Sequence, residues 1–550
     1  MLSNIKGEQS PVAIYLWRLL RHTNYRIQRA KMGIQTDFPV LDSFFSLPFP
    51  FKIASLLVVG IAFRLLWNRF RKELRDIPGP KVAAYTGLWR WLDVRAGQAH
   101  KNAIKLHKRY GSLVRIGPNH VSVSDPREIN HIYGMKSKYT KTEFYHPIQS
   151  IIWKGKAEPH LFTMRDLTVH RESKKILANA YSPTSVLAYE PAVDECITLL
   201  LYQIEKLAEE KKPIDLGEWM SYYTFDVIGQ LSFSKMFGFL EKGCDVDKII
   251  ETIDIVLTYA SQCGQLPELH KFLLGNPFLP GGAMNQIVDF ALKAINGAAS
   301  RHTSLRKDGV LDALDIESRG DMLTKWYALN QNGSQWMTTK YLVAHLSANV
   351  YGGSDTTSIA LRSVLYYLGK NRDKMRKLVE EIDGAAAAGN ISQPVSFKEA
   401  NTHLPYLNAV IKEGMRIHPS AGLMYERYVP SGGDTICGKH IPGGTVVGIN
   451  PWVTQYDPEV FPDPESFVPE RWLDSTEEQL KRMEQSFFNF SAGSRTCLGR
   501  HIAMIEISKM IPELLRRFEL TLTYPDREWE TRNVWLVKQK GVICNITKRS

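Results

Sequence analysis

Cysteine is scarce in this chain, six in 550 residues, and no two stand in a CxxC spacing. That scatter offers no disulfide framework and suits a reduced, cytosol-facing protein. Internal repeats and low-complexity tracts are missing too, so neither a solenoid nor a biased linker organises the sequence. A dinucleotide-binding glycine fingerprint and a flavodoxin-like segment are also lacking, which leaves the chain without a nucleotide site of its own. Acidic residues are outnumbered, 57 against 69 Lys and Arg, for a formal charge of +12. The location of that excess separates nucleic acid from lipid as its partner. The first eighty residues hold twelve Lys and Arg against five Asp and Glu, so +7 of the +12 lies at the N-terminal end beside an apolar run. Anionic headgroups are favoured there, and nucleic acid is not.

The apolar run spans residues 44–67, is interrupted by Pro48, Pro50, Lys52 and Arg64, and is followed by NRFRK. Charged residues near its ends can snorkel to an interface, and the basic flank marks the cytoplasmic side, so it reads as a single membrane anchor. Residues 1–43, with YLWRLLRHTNYRIQRAK, are Arg-rich and acid-poor. They read either as a mitochondrial presequence or as an amphipathic surface segment, with Met32 an alternative start. Residues 68–80 form a basic linker ending in the Pro-rich IPGP, and 81–550 are left as one large remaining portion. Helical patterns dominate between Lys101 and Asn390. Strand signals occur in SLVRIGPNHVSVS and GGDTICGKHIPGGTVVGIN, and residues 305–332 read as a polar surface connection.

Three constellations carry chemistry. In FFNFSAGSRTCLGR, Cys497 sits in a glycine-punctuated loop that runs into a helix. Gly493 and Gly499 allow a tight turn and close approach to a flat cofactor, and the amides of such a loop stabilise a thiolate. Cys497 is therefore either a packed cysteine in a turn or the thiolate ligand of a haem iron, with Arg495 placed for a propionate and Phe490 shielding the sulfur. In HLPYLNAVIKEGMRIHPS, Glu413 and Arg416 lie one helical turn apart, flanked by Leu404, Tyr406, Leu407, Val410 and Ile411. In TTKYLVAHLSANVYGGSDTTSIALRSVLYYLG, Gly352 and Gly353 interrupt an otherwise apolar helix at a cost of about 1 kcal/mol each. Something must offset that cost, or the glycines merely kink the helix and Thr356 bonds back to it.

The pattern Phe490, Gly493, Arg495, Cys497, Gly499 resembles the haem-binding signature of the cytochrome P450 family. Glu413 and Arg416 resemble its ExxR helix, Arg471 in FVPERWL the third member of the same network, and GGSDTT its oxygen-binding helix. The order along the chain is also that of the family, from about IPGP to near the C-terminus. The resemblance implies a mainly α fold with small β-sheets, a single large domain, and haem b between the oxygen-binding helix and the cysteine loop. Asp355 and Thr356 match the acid and alcohol that deliver protons to oxygen, and Arg427, His170 and Lys174 match propionate contacts. At the last position relatives commonly have arginine, whose fork lysine lacks. Ala348, Tyr351 and Gly352, the turn with Ala421, Leu423 and Met424, the turn with Trp535 and Leu536, and the loop 145–162 match substrate-lining segments.

Several blocks, among them VRIGPNHVSVSDP and NPWVTQYDPEVFPDPESFVPERWL, resemble filamentous-fungal members around pisatin demethylase. That likeness implies O2-dependent monooxygenation of an apolar terpenoid, polyketide, alkaloid or phenolic ether in secondary metabolism. Electrons would come from NADPH through a separate cytochrome P450 reductase, with cytochrome b5 as a second donor and Arg500 and Lys509 as docking cations. The endoplasmic reticulum membrane is the expected location, mitochondria the alternative. A haem-thiolate isomerase or dehydratase needing no NADPH, and a non-catalytic haem or sterol binder, are the competing functions.

Overall fold

Apolar residues spaced for a helix make Thr339–Lys370 the longest element among the described residues, and it is the spine of the larger unit. Its length of 32 residues corresponds to about 48 Å. In the computed structural model, which describes residues 47–149, 152–153, 156–157, 159–273, 292–293, 320–331 and 337–549, this spine is buried from Leu342 to Gly369 on most of its faces. Among the helices that pack on it are Leu216–Phe233, Pro405–Ile417 and Arg500–Arg517. Leu216–Phe233 is apolar nearly all round, as a helix enclosed by others must be. Asp215 caps its start by accepting from the amides of Gly217 and Glu218. Pro405 opens Pro405–Ile417 at a position where its missing N–H costs nothing.

The sheets are small and flank the helices. In the largest, the strands run in the spatial order Leu113–Gly117, His120–Val123, Val446–Ile449, Arg427–Tyr428, Thr140–Lys141. The first two form the antiparallel hairpin that SLVRIGPNHVSVS predicts, and Val446–Ile449 lies parallel to His120–Val123. At the far edge Lys141 pairs with Arg427 and Thr140 with Tyr428. A second sheet joins Phe518–Leu522, Ile543–Lys548 and Ile214–Asp215. The hairpin Glu530–Val534 with Leu536–Lys540 turns at Trp535, whose φ of 85° is left-handed.

The described residues up to Trp67 form a separate unit from those that follow. The apolar run becomes the 22-residue helix Phe49–Phe70, which starts later and ends later than the sequence suggests and buries none of its residues within the protein. At about 33 Å it is long and apolar enough to cross a membrane. The extension 1–43 and residues 44–46 lie outside the described residues. One sequence expectation is corrected: within 305–332, Met322–Gln331 is a helix that buries Met322, Leu323 and Trp326 in the main core. Its polar neighbours in the sequence mask three large apolar side chains that lie on one face.

Candidate active site

The cysteine loop is built by a close crossing of backbones. Gly493 has φ 59°, and a Cβ there would stand 2.2 Å from the carbonyl oxygen of Tyr133, so both conformation and space require glycine. Downstream, the amide of Cys497 donates to Phe490 O at 2.9 Å, and Thr496 Oγ1 donates to Gly493 O at 2.8 Å. Cys497 is thereby held just before helix Arg500–Arg517. Burial raises the thiol pKa, while the amides of Gly499 and Arg500 and the charge of Lys174 pull it down. The residue lies deep among protein atoms, yet its own surface is open, so it faces an internal space. A Cβ on Gly499 would stand 3.9 Å from the sulfur, an ordinary contact, and its φ of −75° suits any residue, so neither space nor conformation requires glycine there. The Arg500 guanidinium lies 5.5 Å from the centre of the Phe490 ring.

The glycine pair on the long helix serves two different spaces. A Cβ on Gly353 would collide with Ile228 Cδ1 at 2.5 Å, so this glycine lets Leu216–Phe233 pack closely. Gly352 has nothing within 4 Å of its missing Cβ and is exposed in the middle of a core helix. It borders open space inside the fold. The helix stays unbroken here, and Thr356 Oγ1 donates back to Gly352 O at 3.0 Å, so room comes from the absent side chain and not from a kink. Asp355 is buried and turned to the C-terminal hairpin, where Lys538 Nζ stands 2.8 Å from Oδ2 and also pairs with Asp254. Burial raises the Asp355 pKa, and Lys538 only partly offsets it.

The other segments matched to the substrate side are arranged unevenly. Tyr351 Oη hydrogen-bonds His160 Nε2 at 2.8 Å, and Ala348 is half-buried one turn earlier. Ala421 bridges to Leu536, and Ser420 Oγ donates to Thr356 O at 3.0 Å, which ties that turn to the long helix. Trp535 packs on Phe144, Tyr145 and Phe162 with ring centres 4.5, 5.8 and 6.0 Å away. Leu423 and Met424 are buried and line a cavity beside Arg90. The loop 145–162 is described only in part, and in it His160 and Phe162 join this aromatic group.

A group of buried bases lies nearby. Arg427, 3% exposed, donates to Glu426 O at 2.8 Å and to Tyr145 Oη at 3.3 Å. Arg495 donates to Met164 O at 2.6 Å and Arg165 O at 3.3 Å. Lys174 donates to Ser494 O at 2.7 Å, so it grips the cysteine loop. Sequence reasoning missed Lys141, which is buried, lies over the rings of Tyr145 and Phe162, and donates to Phe162 O. It stands opposite Arg427 in the sheet register, and like charges in that position repel. Burial and the neighbouring cations hold Lys141 well below the usual lysine range, Arg495 down to about 10 and His170 down to about 3. None of Lys141, Lys174, Arg427 and Arg495 is in an ion pair among the described residues. A cofactor with two carboxylates would supply the missing charge. With an open cysteine and a bare stretch of helix, these residues fit a haem.

Glu413, Arg416 and Arg471 meet in the core. Arg416 Nε and Nη2 donate to the two Glu413 oxygens at 2.9 and 2.8 Å, and Arg471 Nε donates to Oε1 at 3.1 Å. Trp472 Nε1 and the amide of Val468 also donate to this carboxylate, at 2.9 and 3.0 Å. Trp472, adjacent to the arginine in PERW, is a partner the sequence reading omitted. The remaining guanidinium N–H groups reach the carbonyls of Gln455, Pro464, Ser466, Pro462 and Asp463. One expectation fails: Lys509 cannot serve as a docking cation, because it is 1% exposed and held by Glu190 and Asp194 at 2.5 and 3.0 Å. Helix periodicity puts it on the inner face of Arg500–Arg517, and two carboxylates of the neighbouring helix make that tolerable. Arg500 is exposed.

Comparison with known proteins gives the same reading. The family model described as Cytochrome P450 matches residues 77–544. An Aspergillus terreus protein named cytochrome P450 monooxygenase is 39% identical over 475 residues, 85% of this chain and 95% of that protein. Cytochrome P450 monooxygenase cicH of Emericella nidulans is 36% identical, covering 90% of this chain and 97% of its own. Cytochrome P450 monooxygenase mpaDE of Penicillium roqueforti is 35% identical over 87% of this chain but only 56% of its own length. Residues that fit a haem around an open cysteine and a match across most of the sequence lead to one assignment: the chain belongs to the cytochrome P450 family and is an oxidoreductase.

Proposed function

We propose that this enzyme inserts one atom of O2 into an apolar small molecule, a terpenoid, polyketide, alkaloid or phenolic ether, in fungal secondary metabolism. The observation that carries the proposal is Cys497, deep in the protein yet open to an internal space. Haem bound there through a thiolate supplies oxygen activation by O–O cleavage. The chain's own residues do the rest. Cys497 Sγ ligates, and the amides of Gly499 and Arg500 stabilise its negative charge. Arg427, Arg495 and Lys141, with His170 and Lys174, would hold the two propionates. Gly352, with nothing within 4 Å of its missing Cβ, would leave room for oxygen and substrate. Thr356 Oγ1, now donating to Gly352 O, can turn its proton outward, and Asp355 replenishes it from the Lys538–Asp254 side. The network of Glu413, Arg416 and Arg471 keeps the framework behind the cysteine loop rigid.

Electrons come from NADPH through a separate reductase, for which exposed Arg500 offers a cation, with cytochrome b5 as an additional donor. The helix Phe49–Phe70 anchors the protein in the endoplasmic reticulum membrane, with 68–80 as linker and hinge and 81–550 as the cytosolic catalytic domain. The Arg-rich flank favours this over a mitochondrial address once the helix is taken as an anchor. The test is spectroscopic and chemical. The reduced, carbon monoxide-bound protein should show the long-wavelength band of thiolate ligation, and Cys497→Ser should abolish it. A surviving band would remove Cys497 as the ligand. With reductase present, product formation from apolar substrates should need NADPH, and NADPH-independent turnover would replace monooxygenation by isomerisation or dehydration.

A further inference from the structure

Lys538 stands between two carboxylates from different parts of the fold. It lies on the strand Leu536–Lys540 of the C-terminal hairpin, while Asp355 belongs to the long helix Thr339–Lys370 and Asp254 to the helix Ile249–Cys263. The two contacts differ in kind. Lys538 Nζ donates a hydrogen bond to Asp254 Oδ1, whereas Asp355 Oδ2, 2.8 Å from the same nitrogen, is out of line for one and accepts no hydrogen bond among the described residues. Asp355 is held by charge, Asp254 by charge and direction. Exposure divides them as well: the Asp355 side chain is 3% exposed and that of Asp254 45%, so Asp254 is the end of this chain of charges that meets solvent.

This arrangement resolves a conflict in what Asp355 must do. As a carboxylate it belongs beside Lys538, yet to pass a proton to Thr356, the next residue of the helix, it must turn away from the hairpin. With Asp355 as its only partner, Lys538 would then be stranded as an unpaired charge in a largely enclosed place, which is costly. Asp254 removes that obstacle, because the ammonium keeps a directed, charge-assisted bond while Asp355 is away. Among the described residues no third carboxylate pairs with Lys538. The other charged groups around it do not replace Asp254. Arg362 and Arg532 are cations: the first spends its guanidinium on Gly217 O, Gln539 O and Ser221 Oγ, and the second stands opposite Lys538 in the hairpin register. Asp215 and Glu218 act on Arg362, and Asp215 is already committed as a helix cap.

We propose, resting on the monooxygenase reading above, that Asp254 is a positioning residue for proton delivery: it holds Lys538 in place so that Asp355 can leave the ion pair, carry a proton to Thr356 and return. The protons balance over one cycle. Asp355 takes up one proton from the solvent side that Asp254 borders, which cancels its charge and loosens its hold on Lys538. It passes that proton to Thr356 Oγ1 as the hydroxyl gives up its own, and it comes back to Lys538 as a carboxylate.

The test uses the full-length, haem-loaded protein. In the resting ferric form, infrared titration follows the carbonyl stretch of the protonated Asp355 carboxyl, recognised as the band that Asp355→Asn removes. Asp254→Asn takes away a negative neighbour and leaves Lys538 to Asp355 alone, so the midpoint should fall, whereas Lys538→Met should raise it by about 1–3 units. In turnover with reductase, Asp254→Asn should slow product formation roughly tenfold, enlarge the solvent deuterium isotope effect and send more electrons to hydrogen peroxide. Asp254→Glu, which keeps a carboxylate, should restore most of the lost coupling. A midpoint unmoved by Asp254→Asn, or a slower enzyme whose isotope effect and peroxide share match those of the unmutated protein, would overturn the role of Asp254. Failure of the monooxygenase reading shows separately, as product formed by the unmutated protein without NADPH, and would take this inference with it.

Discussion

Six buried histidines and the half-buried His120 make the fold acid-sensitive. Burial lowers His100, His160 and His170 to about 3, His107, His345 and His418 to about 4, and His120 well below its ordinary value. Their surroundings suit neutral rings: His107 is bonded at both nitrogens, His418 Nε2 meets Val537 O at 2.8 Å, and His100 stacks edge-on to Trp452 at 4.5 Å. In the unfolded chain each histidine titrates near 6.5, so below that pH the unfolded state binds more protons and stability falls as pH falls. Between about pH 7.5 and about pH 5.5 each loses about 1.4 kcal/mol, and seven together lose on the order of 9 kcal/mol. That is comparable with the whole stability of a typical domain. His131, raised by Glu128 and Asp434 despite some desolvation, works in the opposite direction but is only one group. The assay is proton uptake when urea unfolds the protein at about pH 5.5, with the unfolding midpoint followed over the same range. Uptake of about six or seven protons is expected from these rings. Uptake below about two, or a midpoint unchanged from neutral pH, would refute the neutral buried histidines.

Three substitutions probe the haem framework. Glu413→Gln keeps shape but places an amide N–H₂ against donors of Arg416 and Trp472 and leaves two buried guanidinium groups uncompensated, so urea unfolding should show a loss of about 3–5 kcal/mol. A change below about 1 kcal/mol would mean that the network is not held by charge. Lys141→Met should raise the haem dissociation rate about 10- to 100-fold, from one lost charge-assisted contact. Haem transfer to apomyoglobin measures this, and an unchanged rate would exclude Lys141 from the propionates. Thr356→Ala should preserve the carbon monoxide band and divert electrons to hydrogen peroxide. Unchanged coupling of NADPH to product would take Thr356 out of proton delivery and leave Asp355.

The sequence carried the chemistry better than the packing. The need for glycine at 493 was legible because a loop's conformation is set within a few residues, whereas Gly499, at φ −75°, adopts a conformation open to any residue. Glu413 and Arg416 were legible because their spacing puts them on one helical face, and PERW supplied Arg471. Lys141 was not, because its burial depends on pairing with Arg427, 286 positions later, in a two-residue strand too short to show alternation. The same limit hid Lys509, whose two carboxylates lie on another helix, and the core face of Met322–Gln331. The unbroken helix at Gly352 corrects a more interesting expectation. A glycine pair reads as a kink in one dimension, whereas here one glycine admits Ile228 and its neighbour opens space on another side.

The facing cations of the sheet edge have a consequence for supply in the cell. Lys141 and Arg427 are brought together by backbone pairing, before any counter-charge arrives. A chain folding when haem is short must hold this repulsion unrelieved, and ligand linkage stabilises only the loaded form, by an amount that grows with free haem. The steady-state level of this enzyme should therefore follow the iron and porphyrin status of the organism as well as its own transcription. Raising gene dosage without raising haem synthesis would enlarge the pool sent to degradation, not the pool that works.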